Sequence, residues 1–372
     1  NIQEALLSNE TTMVDLVTHY LHNIESTKHL NAYVEVYRAE VLKCAQELDQ
    51  KIKSQPQSLG ILFGCVISVK DLIVYKNHKV NAGSRILEGF ESQFNATAIE
   101  AVLAEDAIII GRTNCDEFGM GSANTNSYFG PVKNAADESK ISGGSSGGAA
   151  VSVQTNTCLI AMGTDTGGSV RQPASMCGVY GFKPGYGMVS RNGLIAYASS
   201  FDQLGIIAKN AEDIGIIMSV VSKTDQYDAT MYQKDLFADQ TSLDNQAINS
   251  LKIAYITEAF ENEALDQEIK SAGYQFLEEL RSKGATVEGI QFKLLEYVVP
   301  CYYILTTAEA SSNLSRYDGV RYGFRSENAA SPEEMYVNSR SEGFGNEVKK
   351  RIMLGSFVLS EAYYDAYFTK AQ

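Results

Sequence analysis

The chain has 372 residues, 44% of them hydrophobic, enough for a large core and ordinary for a folded globular protein. Its 45 acidic against 31 basic residues leave a net charge of −14, which repels a phosphate backbone and supplies no basic stripe for nucleic acid. No apolar run approaches a membrane span, no signal-peptide pattern opens the chain, and the start at Asn1 reads as a trimmed or processed end.

Residues 1–60 read as an N-terminal helical segment, clearest between Val36 and Lys53, where Val41, Leu42, Ala45, Leu48 and Ile52 recur at helical spacing. Residues 61–372 read as the main domain. Leu62 to Val69 is a mostly buried strand ending at Lys70-Asp71, and a helix over Ala98 to Ala104 leads into a short strand over Ala107 to Ile110. A glycine-dense loop, Ser142 to Gly148, precedes the apolar run Cys158 to Met162 and a second such loop, Gly163 to Ser169. Residues 222–250 are polar, acidic and aperiodic, an excursion between two halves of a sheet. A strand over Lys252 to Ile256, a helix over Asp266 to Leu280 (Ile269, Ala272, Phe276, Leu277, Leu280) and a strand over Thr286 to Gly289 resume the alternation. Asn346 to Ser360 closes the series as an amphipathic helix with Val348, Ile352, Phe357 and Leu359 apolar. This order predicts an α/β protein: a mixed β-sheet core covered by helices on both faces. The six cysteines lie mostly in apolar context without C-x-x-C spacing, so they read as reduced core thiols and no metal site is expected.

The two glycine loops carry the chemistry. Backbone without Cβ atoms can take positive φ and let a ligand approach its N–H groups, the geometry that stabilises an oxyanion. Hydroxyls set into such backbone point to acyl transfer. The first loop fits G-x-S-x-G on Ser145 and again on Ser146, but an α/β-hydrolase needs a histidine after its serine, and His19, His22, His29 and His78 all precede it. A Walker A loop needs Lys and Ser/Thr after its last glycine, whereas Gly148 is followed by Ala149-Ala150. A flexible linker fits poorly with the apolar residues that follow. With histidine unavailable, lysine is the alternative base for a serine nucleophile, and Lys70 stands at a strand end, where sheets present functional side chains. Burial would disfavour its ammonium form. Taken alone, a lysine there is usually a solvated surface charge.

Lys70, Ser145 and Ser169, the Gly-Gly-Ser-Ser-Gly-Gly loop and the run Asp165 to Ala174 together resemble the amidase signature family, which also spaces its two catalytic serines 24 residues apart, as here. The similarity continues through Cys177 to Pro184 and Ser199 to Gly205. The later segments Ala308 to Gly323, Arg340 to Gly345 and Tyr363 to Tyr367 resemble its glutaminase branch, the A subunits of tRNA-dependent amidotransferases. The resemblance implies Ser169 as acylated nucleophile, Ser145 as bridging serine in a cis peptide, and Lys70 as base. It implies an oxyanion hole from the N–H groups of Thr166, Gly167, Gly168 and Ser169, and a glutamine carboxylate held by Arg351 and contacted by Tyr302. A planar guanidinium suits that task because it can donate two parallel hydrogen bonds. An arginine in an amphipathic helix is otherwise more often a surface charge.

It further implies free glutamine as substrate, no metal or cofactor in this chain, a B subunit that activates Glu-tRNA(Gln) with ATP and Mg²⁺, and a small third subunit. Any tRNA would be held mainly by the partner. The family pattern departs at Leu72, Ala135-Ala136, Ile141-Ser142 and Gly185, none of them in the relay. The family domain continues beyond the position of Gln372, so its C-terminal part, with the acidic group that binds the glutamine ammonium, is expected to be absent. The compartment would be a bacterial cytoplasm or a mitochondrial matrix, with the processed-looking start and the departures leaning to the organelle. A free-standing amidase for another small amide would have no use for Arg351 with Tyr302, and a non-catalytic assembly subunit would have no use for an intact relay.

Overall fold

The structure is a computed structural model that describes residues 1–232 and 248–372. Residues 233–247 of the excursion expected over 222–250 therefore lie outside the described residues. The strands are β1 (Tyr33–Val36), β2 (Val66–Lys70), β3 (Ile108–Thr113), β4 (Ile160–Asp165), β5 (Tyr180–Phe182), β6 (Gln203–Ala208), β7 (Lys252–Ile256) and β8 (Thr286–Ile290). The first half holds helices α1 (Ile2–Leu7), α2 (Met13–Ser26), α3 (Arg38–Ser54), α4 (Thr97–Ala104), α5 (Gly147–Gln154), α6 (Arg171–Met176) and α7 (Ala211–Val221). The second holds α8 (Thr257–Phe260), α9 (Gln267–Ser282), α10 (Leu295–Asn313), α11 (Pro332–Gly343) and α12 (Asn346–Val358).

Six strands form one mixed sheet in the order β1-β3-β2-β4-β6-β5. Strand β2 runs parallel to both neighbours, β3 and β4, while β1 and β6 join antiparallel at either side. Such a central strand is covered on both faces, and every residue of β2, Lys70 included, is buried. The expected strand start at Leu62 moves to Val66 because Leu62 to Cys65 form a turn, closed by a Cys65 N–H to Leu62 carbonyl bond with Gly64 at φ +87°. The 1–60 segment is helical and also supplies edge strand β1. Its apolar residues, among them Met13, Val17, Leu21, Val41 and Ala45, join the same core as the sheet residues Ile67, Ile110 and Ile207.

A second, smaller core gathers Leu72, Phe118, Tyr197, Ala310, Leu314 and Val348 and fastens α10 and α12 to the loops after β2 and β3. Strands β7 and β8 pair in parallel with each other, Lys252 opposite Thr286 through Ile256 opposite Ile290, and with no strand of the larger sheet. The expectation of one continuous alternation is corrected there. The face of α9 expected to be buried retains only Leu277, with Ile269 and Phe276 exposed, since a two-stranded sheet is too small to cover it. Among the described residues all six cysteines are free thiols, and no helix is long and apolar enough to cross a membrane.

Helix α12 also differs from its expected amphipathic face. Its buried stripe is Val348, Arg351, Gly355 and Val358, with Phe357 exposed. The face is set by close approach to α10: a Cβ at Gly355 would stand 2.0 Å from the Thr307 carbonyl oxygen. Gly355→Ala would gain about 1 kcal/mol of helix propensity, but the backbone clash costs more, about 2–4 kcal/mol including the shift of α12. The expected net loss is roughly 1–3 kcal/mol of unfolding free energy, read from the denaturant midpoint. A midpoint equal to or above wild type would refute this packing account.

Candidate active site

The parallel pairing of β2 with β4, Ser68 opposite Ala161 and Val69 opposite Met162, brings Lys70 and Thr164 together at the C-terminal ends of two neighbouring interior strands. Alternation along β2 places Ser68 and Lys70 on one face. Ser68 Oγ meets Ser152 Oγ of α5 at 2.9 Å, so that face looks at α5, and Lys70 reaches the serine loop from which α5 starts.

Lys70 has no exposed surface. Its Nζ lies 2.8 Å from Ser145 Oγ, 2.8 Å from Ser146 Oγ, 2.9 Å from Thr164 Oγ1 and 3.3 Å from the Thr164 carbonyl. Ser146 Oγ donates its own proton to that carbonyl at 3.1 Å, so it accepts from the amine. A neutral amine has two N–H groups and one lone pair. With the N–H groups on Ser146 and Thr164, the lone pair is left for the Ser145 hydroxyl. Burial lowers the ammonium pKa from 10.5 to about 8, against the opposing pull of the Asp116, Asp165 and Asp202 carboxylates.

The Gly144–Ser145 peptide bond is cis. The turn is held by Asp116, whose N–H donates to the Ser145 carbonyl at 3.1 Å and whose carboxylate accepts from the N–H groups of Asn124 and Asn126. Only glycine fits at 144, where a Cβ would stand 2.2 Å from Asp116 Oδ2.

Ser169 follows β4 in a loop wrapped around the Asp165 carboxylate. That carboxylate accepts the N–H groups of Gly168 (2.7 Å), Val170 (3.1 Å) and Arg171 (3.3 Å), plus a fork from the Arg171 guanidinium at 3.0 and 2.9 Å. Burial alone would raise the Asp165 carboxyl, but Arg171 and the amides hold it below its ordinary value. The amides of Thr166, Gly167 and Ser169 are left without a protein acceptor among the described residues, and these can meet an oxyanion. The Gly168 N–H, expected among them, is engaged by Asp165 instead. Ser146 N–H donates to the Ser169 carbonyl at 3.0 Å, which joins the two loops. The hydroxyls of Ser145 and Ser169 are not hydrogen-bonded to each other here, and catalytic bonds of this kind commonly tighten only with substrate bound.

The expected substrate residues lie on the same side. The half-buried Tyr302 ring lies on the Ser169 loop, its Cε2 2.5 Å from where a Gly167 Cβ would stand. Arg351 is 7% exposed, so it is not the surface charge that an arginine in such a helix more often is. Its Nε donates to Glu347 Oε1 and its Nη1 to the Tyr197 hydroxyl, both at 2.9 Å. Sequence reasoning missed Ser146 and Thr164 as holders of the amine, although each adjoins a residue it singled out. It also missed Asp202, which accepts from Thr166 Oγ1 at 2.6 Å and whose carboxyl is raised to about 6 by burial. No spacing signal marks that residue. Among the described residues no group of three His, Cys, Asp or Glu side chains is arranged to hold a metal ion.

The profile of the family described as Amidase matches residues 15–372. The A subunit of the glutamyl-tRNA(Gln) amidotransferase of Chlorobaculum parvum is 45% identical over 372 residues, covering all of this chain and 77% of the relative. The protein of the same name from Chlorobium phaeobacteroides strain BS1 is 46% identical, with 78% of its length covered. The crystal structure of the glutamyl-tRNA(Gln) amidotransferase A subunit from Thermotoga maritima superposes with a TM-score of 0.77 at 34% identity, covering all of this chain and 73% of that one.

The depressed amine makes a signed pH prediction. The neutral form of Lys70 grows as pH rises through about 8, so roughly one molecule in ten carries it at pH 7. Amide hydrolysis measured as kcat/KM should climb close to tenfold per unit below that value and level off above it. A profile flat between pH 6.5 and 8.5 would remove Lys70 as the base.

Proposed function

The chain belongs to the amidase family, and we propose that it is the glutamine-hydrolysing A subunit of a glutamyl-tRNA(Gln) amidotransferase. One observation carries this reading: the buried Arg351 meets the hydroxyl of Tyr302, whose ring lies on the loop of Ser169, which supports an anion clamp beside an acyl-transfer centre. An amidase for apolar amides has no use for a buried guanidinium, and an assembly subunit has no use for a buried lysine on a serine hydroxyl.

The reaction follows from the donors. Ser169 Oγ attacks the glutamine side-chain carbonyl carbon, its proton passes to Ser145 Oγ, and the Ser145 proton passes to the Lys70 lone pair. The carbonyl oxygen becomes an oxyanion against the free amides of Thr166, Gly167 and Ser169, each such donor being worth about 100-fold or more in rate. Return of the proton to the amide nitrogen breaks the C–N bond and releases ammonia. Water then attacks the acyl-Ser169 ester by the same relay in reverse, giving glutamate. Arg351 holds the α-carboxylate throughout.

In this reading the ammonia goes to a partner B subunit, which uses ATP and Mg²⁺ to activate Glu-tRNA(Gln), with a small third subunit in the assembly. The chain itself uses no metal or cofactor. The charge of −14 supports leaving the tRNA to the partner. The relatives compared are bacterial, which supports a bacterial cytoplasm and lends nothing to the lean toward a mitochondrion.

The test is ammonia release from glutamine by the full-length chain in complex with its companion subunits. Ser169→Ala and Lys70→Ala should each lower kcat by at least about 1,000-fold. Arg351→Ala should instead raise KM by roughly 100-fold, with a smaller change in kcat, because a charge-assisted bidentate bond is lost from ground and transition states alike. Wild-type turnover of other amides but not of glutamine would overturn the assignment.

A further inference from the structure

We infer that Tyr197 is a positioning residue that sets the specificity of this site for amides bearing an α-carboxylate, by holding Arg351 and the Ser169 loop in one hydrogen-bonded frame. This rests on the glutaminase reading above. Tyr197 is buried, 2% exposed, and belongs to the second core.

The hydrogen bonds have one consistent direction. Arg351 can only donate, so the Tyr197 oxygen accepts from Nη1 at 2.9 Å. Thr306 Oγ1 gives its proton to the Tyr302 carbonyl at 2.6 Å, so it accepts from the Tyr197 hydroxyl at 2.8 Å. One phenol therefore fixes the guanidinium and, through Thr306, the backbone that carries Tyr302. The main chain of the same residue completes the frame: Tyr197 N–H donates to Asp202 Oδ2 at 2.9 Å, and Asp202 Oδ1 accepts from Thr166 Oγ1 of the nucleophile loop.

Counting donors shows what the frame leaves open. Of the five guanidinium N–H groups, Glu347 takes the one on Nε and Tyr197 takes one on Nη1. One on Nη1 and both on Nη2 remain, with the Tyr302 hydroxyl also against the guanidinium, and these are the donors left for a carboxylate. Aromatic faces flank the same cation, with ring centroids of Tyr197 and Tyr303 5.6 and 5.3 Å away. Without the Tyr197 hydroxyl the Nη1 group loses its buried acceptor, and the link from Arg351 through the phenol is cut, leaving Tyr302 as the remaining bridge to the Ser169 loop.

The test compares wild type, Tyr197→Phe and Thr306→Val in the full-length chain with its companion subunits. The substrates are glutamine and 4-aminobutanamide, which is glutamine without its α-carboxylate. Tyr197→Phe should raise KM for glutamine about tenfold, with most of the effect in KM, and should change kcat/KM for 4-aminobutanamide far less. Thr306→Val should act in the same direction but more weakly, since the phenol loses only its acceptor. An unchanged glutamine KM in Tyr197→Phe, or equal losses on both amides, would overturn the proposal. A wild type that hydrolyses both amides equally well would bring down the carboxylate clamp itself, and the proposal with it.

Discussion

A lysine amine with no access to water, flanked by three hydroxyls, is the constraint on which the rest of this molecule depends. A buried ammonium is costly, and the protein lowers that cost by surrounding the nitrogen with Ser145, Ser146 and Thr164 and by letting its pKa fall to about 8. Each partner comes from an element adjoining β2 in space: Thr164 from parallel neighbour β4, the serines from the loop that opens α5. A central parallel strand covered on both faces is what makes such burial possible. On an edge strand the same lysine would be solvated and would lose the burial that lowers its pKa.

Carboxylates organise the backbone around that amine. Asp116 shapes the Ser145 turn, Asp165 draws in the amides of Gly168, Val170 and Arg171, and Asp202 ties Thr166 to the segment at Tyr197. By accepting some N–H groups they leave others open, so the amides free to meet a ligand are defined as much by what Asp165 takes as by the glycines themselves. The glycines supply the room. At 144 and 167 a side chain would run into Asp116 and Tyr302, so the loops carry glycine where neighbouring groups come closest.

Arginine recognition is built on a different principle. Helix α12 is not strongly amphipathic, and the face it buries follows from contact with α10 at Gly355. That contact turns Arg351 inward while the larger apolar Phe357 stays outside. Once inside, the guanidinium must find acceptors, and it finds Glu347 one turn away and Tyr197 from a distant part of the chain.

From the resemblance to the amidase family came the expectation of a relay of Lys70, Ser145 and Ser169; the sequence by itself determined the α/β class, most of the elements and two hydroxyl-bearing glycine loops. Those features are local: periodicity reports burial, and glycine density around hydroxyls reports exposed amides. Tertiary structure alone decided that β7 and β8 stand apart from the main sheet, that Gly168 serves Asp165, and that Arg351 is buried. It also decided which hydroxyls hold the amine and that Tyr197 joins the two halves of the site. These depend on which surfaces meet across long stretches of chain, and no short-range pattern of residues encodes a contact between positions 197 and 351.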